Sequence, residues 1–206
     1  MNNSKPKLLL IADVPGWIFE RHCRTLETYL SDEFDITICY QNEPFSEEDF
    51  DLIYPLEWYM VQPGDIRDRS KYVTGIRSHL VWPELDFERF VRRLNLHFKQ
   101  VHVVSHRLYK LFEGHVSNLH YVTHGVDTHY FSAEKEPQTH FGSLRIGWAG
   151  NRKSQGNKGF LDIIAPLGEQ DGLELIFCGY SDTNLSMSEM KEFYEKSIPY
   201  LEAQSK

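Results

Sequence analysis

A chain of 206 residues and 24.2 kDa is too long for a mini-protein and too short for three full domains. Its 41% apolar and 25% charged residues suffice to bury a core, which excludes the disordered and fibrous classes. Twenty-two basic against thirty acidic residues leave a net charge of −8 and a pI near 5.7, so a broad electrostatic surface for nucleic acid or anionic membrane is excluded, while local basic pockets are still allowed. The three cysteines (Cys23, Cys39 and Cys178) are odd in number and lie in apolar stretches, the pattern of buried reduced thiols rather than disulfides and of a cytoplasmic setting. The segment from Met1 to Lys7 leads into an apolar run too short for a signal sequence, and no run elsewhere approaches the roughly 20 residues of a membrane span. A soluble protein is expected.

Leu8-Leu9-Leu10-Ile11-Ala12 is a continuous apolar run ended by Asp13-Val14-Pro15-Gly16, which predicts a strand buried on both faces of a parallel sheet. Phe19, Cys23, Leu26 and Leu30 recur at helical spacing, and Phe34-Asp35-Ile36-Thr37-Ile38-Cys39-Tyr40 follows as a second strand. Further strands are predicted over residues 52–56, 71–76, 102–104 and 119–122. Between them, Phe87, Phe90, Val91, Leu94 and Phe98 mark one helix, and Leu108, Leu111 and Phe112 a shorter one. Strands alternating with helices of this size imply an α/β fold, a doubly wound, Rossmann-like parallel sheet with right-handed crossovers.

Residues 127–143 are polar, lack apolar periodicity and read as a linker. A second β-α-β unit starts beyond it: Arg145-Ile146-Gly147-Trp148-Ala149-Gly150 predicts a strand running into a glycine turn. Phe160, Ile163, Ile164 and Leu167 predict a helix, and residues 173–178 a strand. A last helical pattern runs through Met190, Phe193 and Tyr194. Residues 1–141 are thus expected to form one domain and 142–206 part of another. Two strands make a poor sheet, so the second is expected to lean on the first, to need a partner chain or oligomer, or to be the front of a longer sequence.

The turn Gly150-Asn151-Arg152-Lys153-Ser154-Gln155-Gly156-Asn157-Lys158-Gly159 stands between a buried strand and a helix. A turn so placed sets backbone N–H groups and a helix N-terminus at the carboxyl edge of a sheet, where phosphates bind in α/β folds. Lys158 opposes the helix dipole there and invites an anion; the plain alternative is a solvated basic loop. Neither a dinucleotide fingerprint nor a P-loop spacing is present.

On these residues the chain resembles the retaining, nucleotide-sugar-dependent glycosyltransferases of the GT-B fold, the family-4 type. Tyr121-Val122-Thr123-His124-Gly125-Val126-Asp127-Thr128-His129-Tyr130-Phe131 is similar to the family's N-G-V-D-x-x-x-F hinge, with His124 in place of asparagine. The passage from Arg145 to Gly150 and on to Phe160 is similar to the first strand and phosphate loop of the donor domain, and Val103-Val104-Ser105 fits the strand end before the hinge. The resemblance implies two Rossmann-like domains and transfer of a hexose from a nucleotide diphosphate sugar to a sugar or lipid-linked acceptor in glycan or surface-polysaccharide synthesis. No metal or other cofactor is implied.

Residue by residue, the resemblance implies that Lys158 binds the donor diphosphate together with Gly150, Asn151, Arg152, Lys153 and Gly159, and that Gly16 belongs to the facing loop. His79 matches a histidine near the transferred sugar, or is an ordinary loop histidine. Asn151 stands where the family often has arginine, so Arg152 or Lys153 must substitute. The family's later E-x7-E region has no counterpart, so these 206 residues alone are expected to be weak or inactive in catalysis; the alternative is a non-catalytic, truncated remnant or a binding or assembly module completed by a partner chain. The acceptor implies peripheral association with the inner face of the membrane, and no nucleic-acid partner is expected.

Three weaker signals complete the reading. Asp49-Phe50-Asp51 has a D-x-D form but precedes a strand, so it is expected at the amino edge, away from ligands. His102 with His106 and His120 with His124 are too far apart along extended chain, roughly 13 Å, for one ion. Trp58-Tyr59 and Trp82 follow strand ends and suggest part of an acceptor pocket.

Overall fold

The computed structural model describes residues 4–78, 86–128, 144–149, 164–167, 170–178 and 188. The chain divides into two compact units, Met1–His124 and Gly125–Lys206. The fold is α/β with parallel sheets. In the first unit the order is β1 (Lys7–Ala12), α1 (Ile18–Leu30), β2 (Asp35–Tyr40), β3 (Leu52–Pro55), β4 (Val73–Ile76), α2 (Phe87–His97), β5 (Gln100–Val103), α3 (His106–Phe112) and β6 (Leu119–Tyr121).

β1 is apolar throughout its interior because it is paired on both sides and covered on both faces. It lies between β2 and β3 in parallel register, Leu10 opposite Ile38 on one side and Tyr54 on the other, and residues 8–12 are all buried. A second sheet has the order β4-β5-β6, with Gly75 opposite His102 and His102 opposite His120. The facing edges β3 and β4 meet at a single parallel bridge, Ile53 to Tyr72, and at a hydrogen bond in which the Thr74 hydroxyl donates to the Pro55 carbonyl at 3.0 Å. The N and C=O of one residue point to the same side of an extended strand, so the donor that Pro55 lacks faces β4. A full ladder is closed off there and a threonine hydroxyl takes up the carbonyl.

With that junction the strand order runs β2-β1-β3-β4-β5-β6, compatible with the doubly wound expectation. Its direction of growth reverses between β1 and β3. The Leu56 N–H donates to the Ile11 carbonyl at 3.0 Å and carries this contact one step past β3. In open α/β sheets ligands gather in the crevice at the carboxyl ends of strands near such a reversal.

The helices follow from apolar spacing and from caps. Cys23 is the buried residue of α1, with Phe19 and Leu26 packed against the core. Asp86 caps α2 by accepting the Arg89 N–H at 2.7 Å, and Ser105 caps α3 by accepting that of Leu108 at 3.3 Å. Phe90 and Phe112 join α2 to α3, ring to ring at 5.7 Å. The β2–β3 and β3–β4 connections carry only single 3-10 turns, at Glu47–Asp49, Trp58–Met60, Pro63–Asp65 and Arg69–Lys71. β4 begins at Val73 rather than at 71, because the Asp68 carboxylate accepts the Ser70 N–H at 2.9 Å and winds the preceding residues into the last of these turns.

In the second unit β7 (Leu144–Ala149) pairs in parallel with β8 (Leu173–Cys178), Leu144 opposite Leu173 through Ala149 opposite Cys178, and α4 (Ala165–Leu167) lies between them in the chain. The helical pattern at Phe160 and Ile163, the one at Met190, and most of the expected linker lie outside the described residues. Among the described residues no helix is long and apolar enough to cross a membrane.

Leu10 is fully buried at the centre of β1, so Leu10→Ala should cost about 2–5 kcal/mol, transfer and cavity together. Leu96→Ala, on the exposed side of α2, should stay within about 0.5 kcal/mol. Urea unfolding of the two variants checks the contrast, and equal losses would contradict the assigned core.

Candidate functional site

The carboxyl ends of β1, β3, β4 and β5 bring together polar side chains far apart in sequence. Arg77 follows β4 directly, and its backbone N–H donates to Glu57 Oε1 at 3.0 Å. Its guanidinium lies over the Phe19 ring, 5.4 Å from the centroid, and Nη2 donates to the Tyr54 hydroxyl at 2.9 Å. That hydroxyl also shares a hydrogen bond with His102 Nε2 at 2.5 Å.

Gly75 makes room for this arrangement. A Cβ at its position would stand 2.6 Å from His102 Nε2 and 2.7 Å from Arg77 Nη1, so the two side chains use the space that any larger residue would fill. The rings of His22 from α1 and His124 beyond β6 lie 5.3 Å apart between centroids, tilted by 45°. Burial, reinforced by the Arg77 charge, pushes His22 and His102 down to about 4, and the same causes lower His124. These imidazoles are neutral at pH 7.

Glu57, 1% exposed, is the buried carboxyl of the group. Burial pushes it up to about 7 against the opposing pull of the Arg77 charge and N–H. Tyr59 is pushed up to about 12 by burial, with Glu57 and Asp13 adding in the same direction. Asp13 Oδ1, Glu57 Oε2, Arg77 Nε, Arg77 Nη1 and His102 Nδ1 are buried without a hydrogen-bond partner. Buried polar atoms in folded proteins are rarely left so, and a concentration of them marks a place built for something more than packing.

Of the residues singled out in the sequence, Gly16 stands in the turn after β1 with φ +80°, a backbone conformation that calls for glycine. Its N–H donates to Glu20 Oε2 at 2.6 Å, and that bond, with one from the Tyr40 hydroxyl, holds the Glu20 carboxyl below its usual range. His79, Gly150, Asn151, Arg152, Lys153, Lys158 and Gly159 lie outside the described residues, as does Trp82. Ala149, the residue before that loop, is the carboxyl end of β7.

Trp58 is not a pocket wall. It is 5% exposed, packed on Phe90 with ring centroids 4.9 Å apart and covered by the Arg93 guanidinium at 4.6 Å. Asp49 and Asp51 do lie at the amino edge: Asp51 Oδ2 accepts the Lys7 N–H at 2.8 Å, and both line a cleft of about 730 Å³ with Lys5 and Asp35. This cleft is larger than the one of about 490 Å³ between the ends of β1 and β2 and the 3-10 turns, yet it holds none of the orphaned atoms. Cys23 and Cys39 are free and buried, with burial pushing their thiols up to about 12 and about 11, so neither is a ready nucleophile. Among the described residues no group of His, Cys, Asp and Glu is arranged to hold a metal ion.

Sequence reasoning missed Arg77, Glu57 and Tyr54. The signal was available: each is the last residue but one of a strand or within two residues beyond its end, at the edge where ligands collect. No protein-family model matches the chain, and no curated protein matches it.

The titrations work in opposite directions. Glu57 is raised from 4.5 to about 7 on folding, so its contribution to stability is full below about 4.5 and is lost as pH rises towards 7. His22 and His102 fall from 6.5 to about 4, so theirs is full above 6.5 and is lost as pH falls towards 4. Glu57→Gln should therefore gain stability relative to the wild type from pH 5 to pH 8, as read by urea unfolding at fixed ionic strength. A difference independent of pH would contradict the environment assigned to Glu57.

Proposed function

We propose that the chain is a glycosyltransferase of the GT-B type that moves a hexose from a nucleotide diphosphate sugar to a sugar or lipid-linked acceptor in glycan or surface-polysaccharide synthesis. The observation that carries the reading is the parallel pairing of β7 with β8. A parallel pair needs a crossover, and the chain that makes it leaves from the carboxyl end of β7 with the basic, glycine-containing sequence from Gly150 to Gly159. Phosphates in α/β folds bind at that edge. The parallel first unit, with its polar side chains gathered at carboxyl ends, supports the same reading.

In this proposal Lys158, with Arg152 or Lys153 and the N–H groups of the loop, holds the donor diphosphate. As the bond between the sugar C1 and the phosphate oxygen breaks, these groups stabilise the negative charge on the departing diphosphate. The acceptor hydroxyl oxygen forms the new bond at C1, and its proton passes to the departing diphosphate. In the same proposal Gly16 would belong to the loop facing the donor, and His79 would serve near the transferred sugar. A cytoplasmic enzyme at the inner face of the membrane fits a lipid-linked acceptor.

Thermal unfolding with UDP-, GDP- and ADP-sugars tests the proposal. One of them, at 100 times its Kd, should stabilise the wild type by about 2.7 kcal/mol, and Lys158→Ala should abolish the effect. No response to any nucleotide sugar, or one that survives Lys158→Ala, would overturn it.

A further inference from the structure

We propose that the seam between β3 and β4 is a proton-operated latch, bolted by the uncharged Glu57 carboxyl and released when that carboxyl ionises. The inference rests on the first unit alone and stands apart from the transferase reading.

The seam is the thinnest line of backbone pairing across the six strands. β3 pairs with β1, and β4 with β5, over four residue pairs each, whereas β3 and β4 meet at the Ile53–Tyr72 bridge. Side chains fasten the rest of it. The Thr74 hydroxyl donates to the Pro55 carbonyl and Arg77 Nη2 to the Tyr54 hydroxyl. At the carboxyl end, Glu57 reaches from the chain leaving β3 to the chain leaving β4, where Oε1 accepts the Arg77 N–H at 3.0 Å. Segments joined by few backbone hydrogen bonds open at lower free energy than the ladders beside them.

Glu57 ties that opening to a proton. In the closed seam the carboxyl is 1% exposed and Oε2 has no hydrogen-bond partner, so a charge there is poorly solvated. In an open seam it meets water and ionises at its ordinary value. Burial raises it from 4.5 to about 7 in the closed form, against the pull of the Arg77 charge and N–H. Opening therefore releases a proton to water over that interval. The contribution of Glu57 to the open fraction rises with pH from about 4.5 to about 7 and levels off above.

The groups that face Glu57 leave its titration distinct. Tyr54 on β3 and Tyr59 in the turn after it both feel the Glu57 carboxyl, and burial raises both phenols, so they stay uncharged near neutral pH. Asp13, after β1, is a second carboxyl acting on Tyr59. Around Arg77, the imidazoles of His22, His102 and His124 are lowered, so their effect on opening has the reverse sign and grows as pH falls. Comparison with Glu57→Gln, which keeps the Oε1 acceptor and cannot ionise, cancels these other groups.

Native-state hydrogen exchange of the full chain, read residue by residue by NMR in low urea, tests the latch. In the wild type the opening constant at the Arg77 amide should exceed that of the amides of residues 8–11 by about tenfold or more, and urea should barely change it. Between pH 5 and pH 8, after correction for intrinsic exchange, that constant should rise by about tenfold or more relative to Glu57→Gln. An Arg77 amide that exchanges in step with the β1 amides at every urea concentration would overturn the latch in favour of global unfolding. So would a local opening with the same pH dependence in both proteins, since a seam that parts without solvating Glu57 is not held by its proton.

Discussion

The burial of β1 on both edges and both faces is the constraint from which the first unit is built. A strand so placed must be apolar along its length, must be flanked by parallel partners, and forces its neighbours to be reached by crossovers. β2 lies on one side and β3 on the other, so the direction of the sheet reverses beside β1. The crevice created by that reversal is where Asp13, Glu57 and Arg77 come to lie. Pro55 continues the logic by refusing a full ladder to β4, and the carbonyl it leaves is taken by a threonine side chain.

The electrostatics of that edge depend on one cation. Burial lowers the three neighbouring imidazoles and raises Glu57, and the Arg77 charge adds to the first effect and opposes the second, so one guanidinium acts on the protonation of the whole group. Tyr54 is the link of the network, accepting from Arg77 and sharing a second hydrogen bond with His102. Gly75 is a spatial requirement here rather than a conformational one.

The strands were legible because continuous apolar runs and helical spacing are local properties. Leu8 to Ala12, residues 35–40 and the two strands of the second unit appear where the pattern puts them. The start of β4 was not, since the Asp68 cap competes with an extended reading of Lys71 and Tyr72. The cluster at Arg77 was less visible still. Glu57 and Arg77 look like solvated charges after a strand end, yet Glu57 is 1% exposed and two nitrogens of the half-buried Arg77 are closed to solvent. Trp58 went the other way: its place after a strand end suggested a pocket, but Phe90 and Arg93 enclose it. Side-chain burial depends on partners distant in sequence, and no local pattern encodes it.

The all-parallel pairing has a consequence for how the chain acquires its structure. The tightest ladder, β5 with β6, joins Val101 to Leu119 and already closes a loop of 18 residues, whereas Lys7 must wait for Asp35 and Leu8 for Leu52. No hairpin among the described strands offers an early, cheap contact. Loop entropy must be spent before any ladder returns it, which makes folding slower than in a helical bundle of the same size. During that interval the most apolar strand of the molecule has no partner, and nascent chains are at their most vulnerable to association through β1.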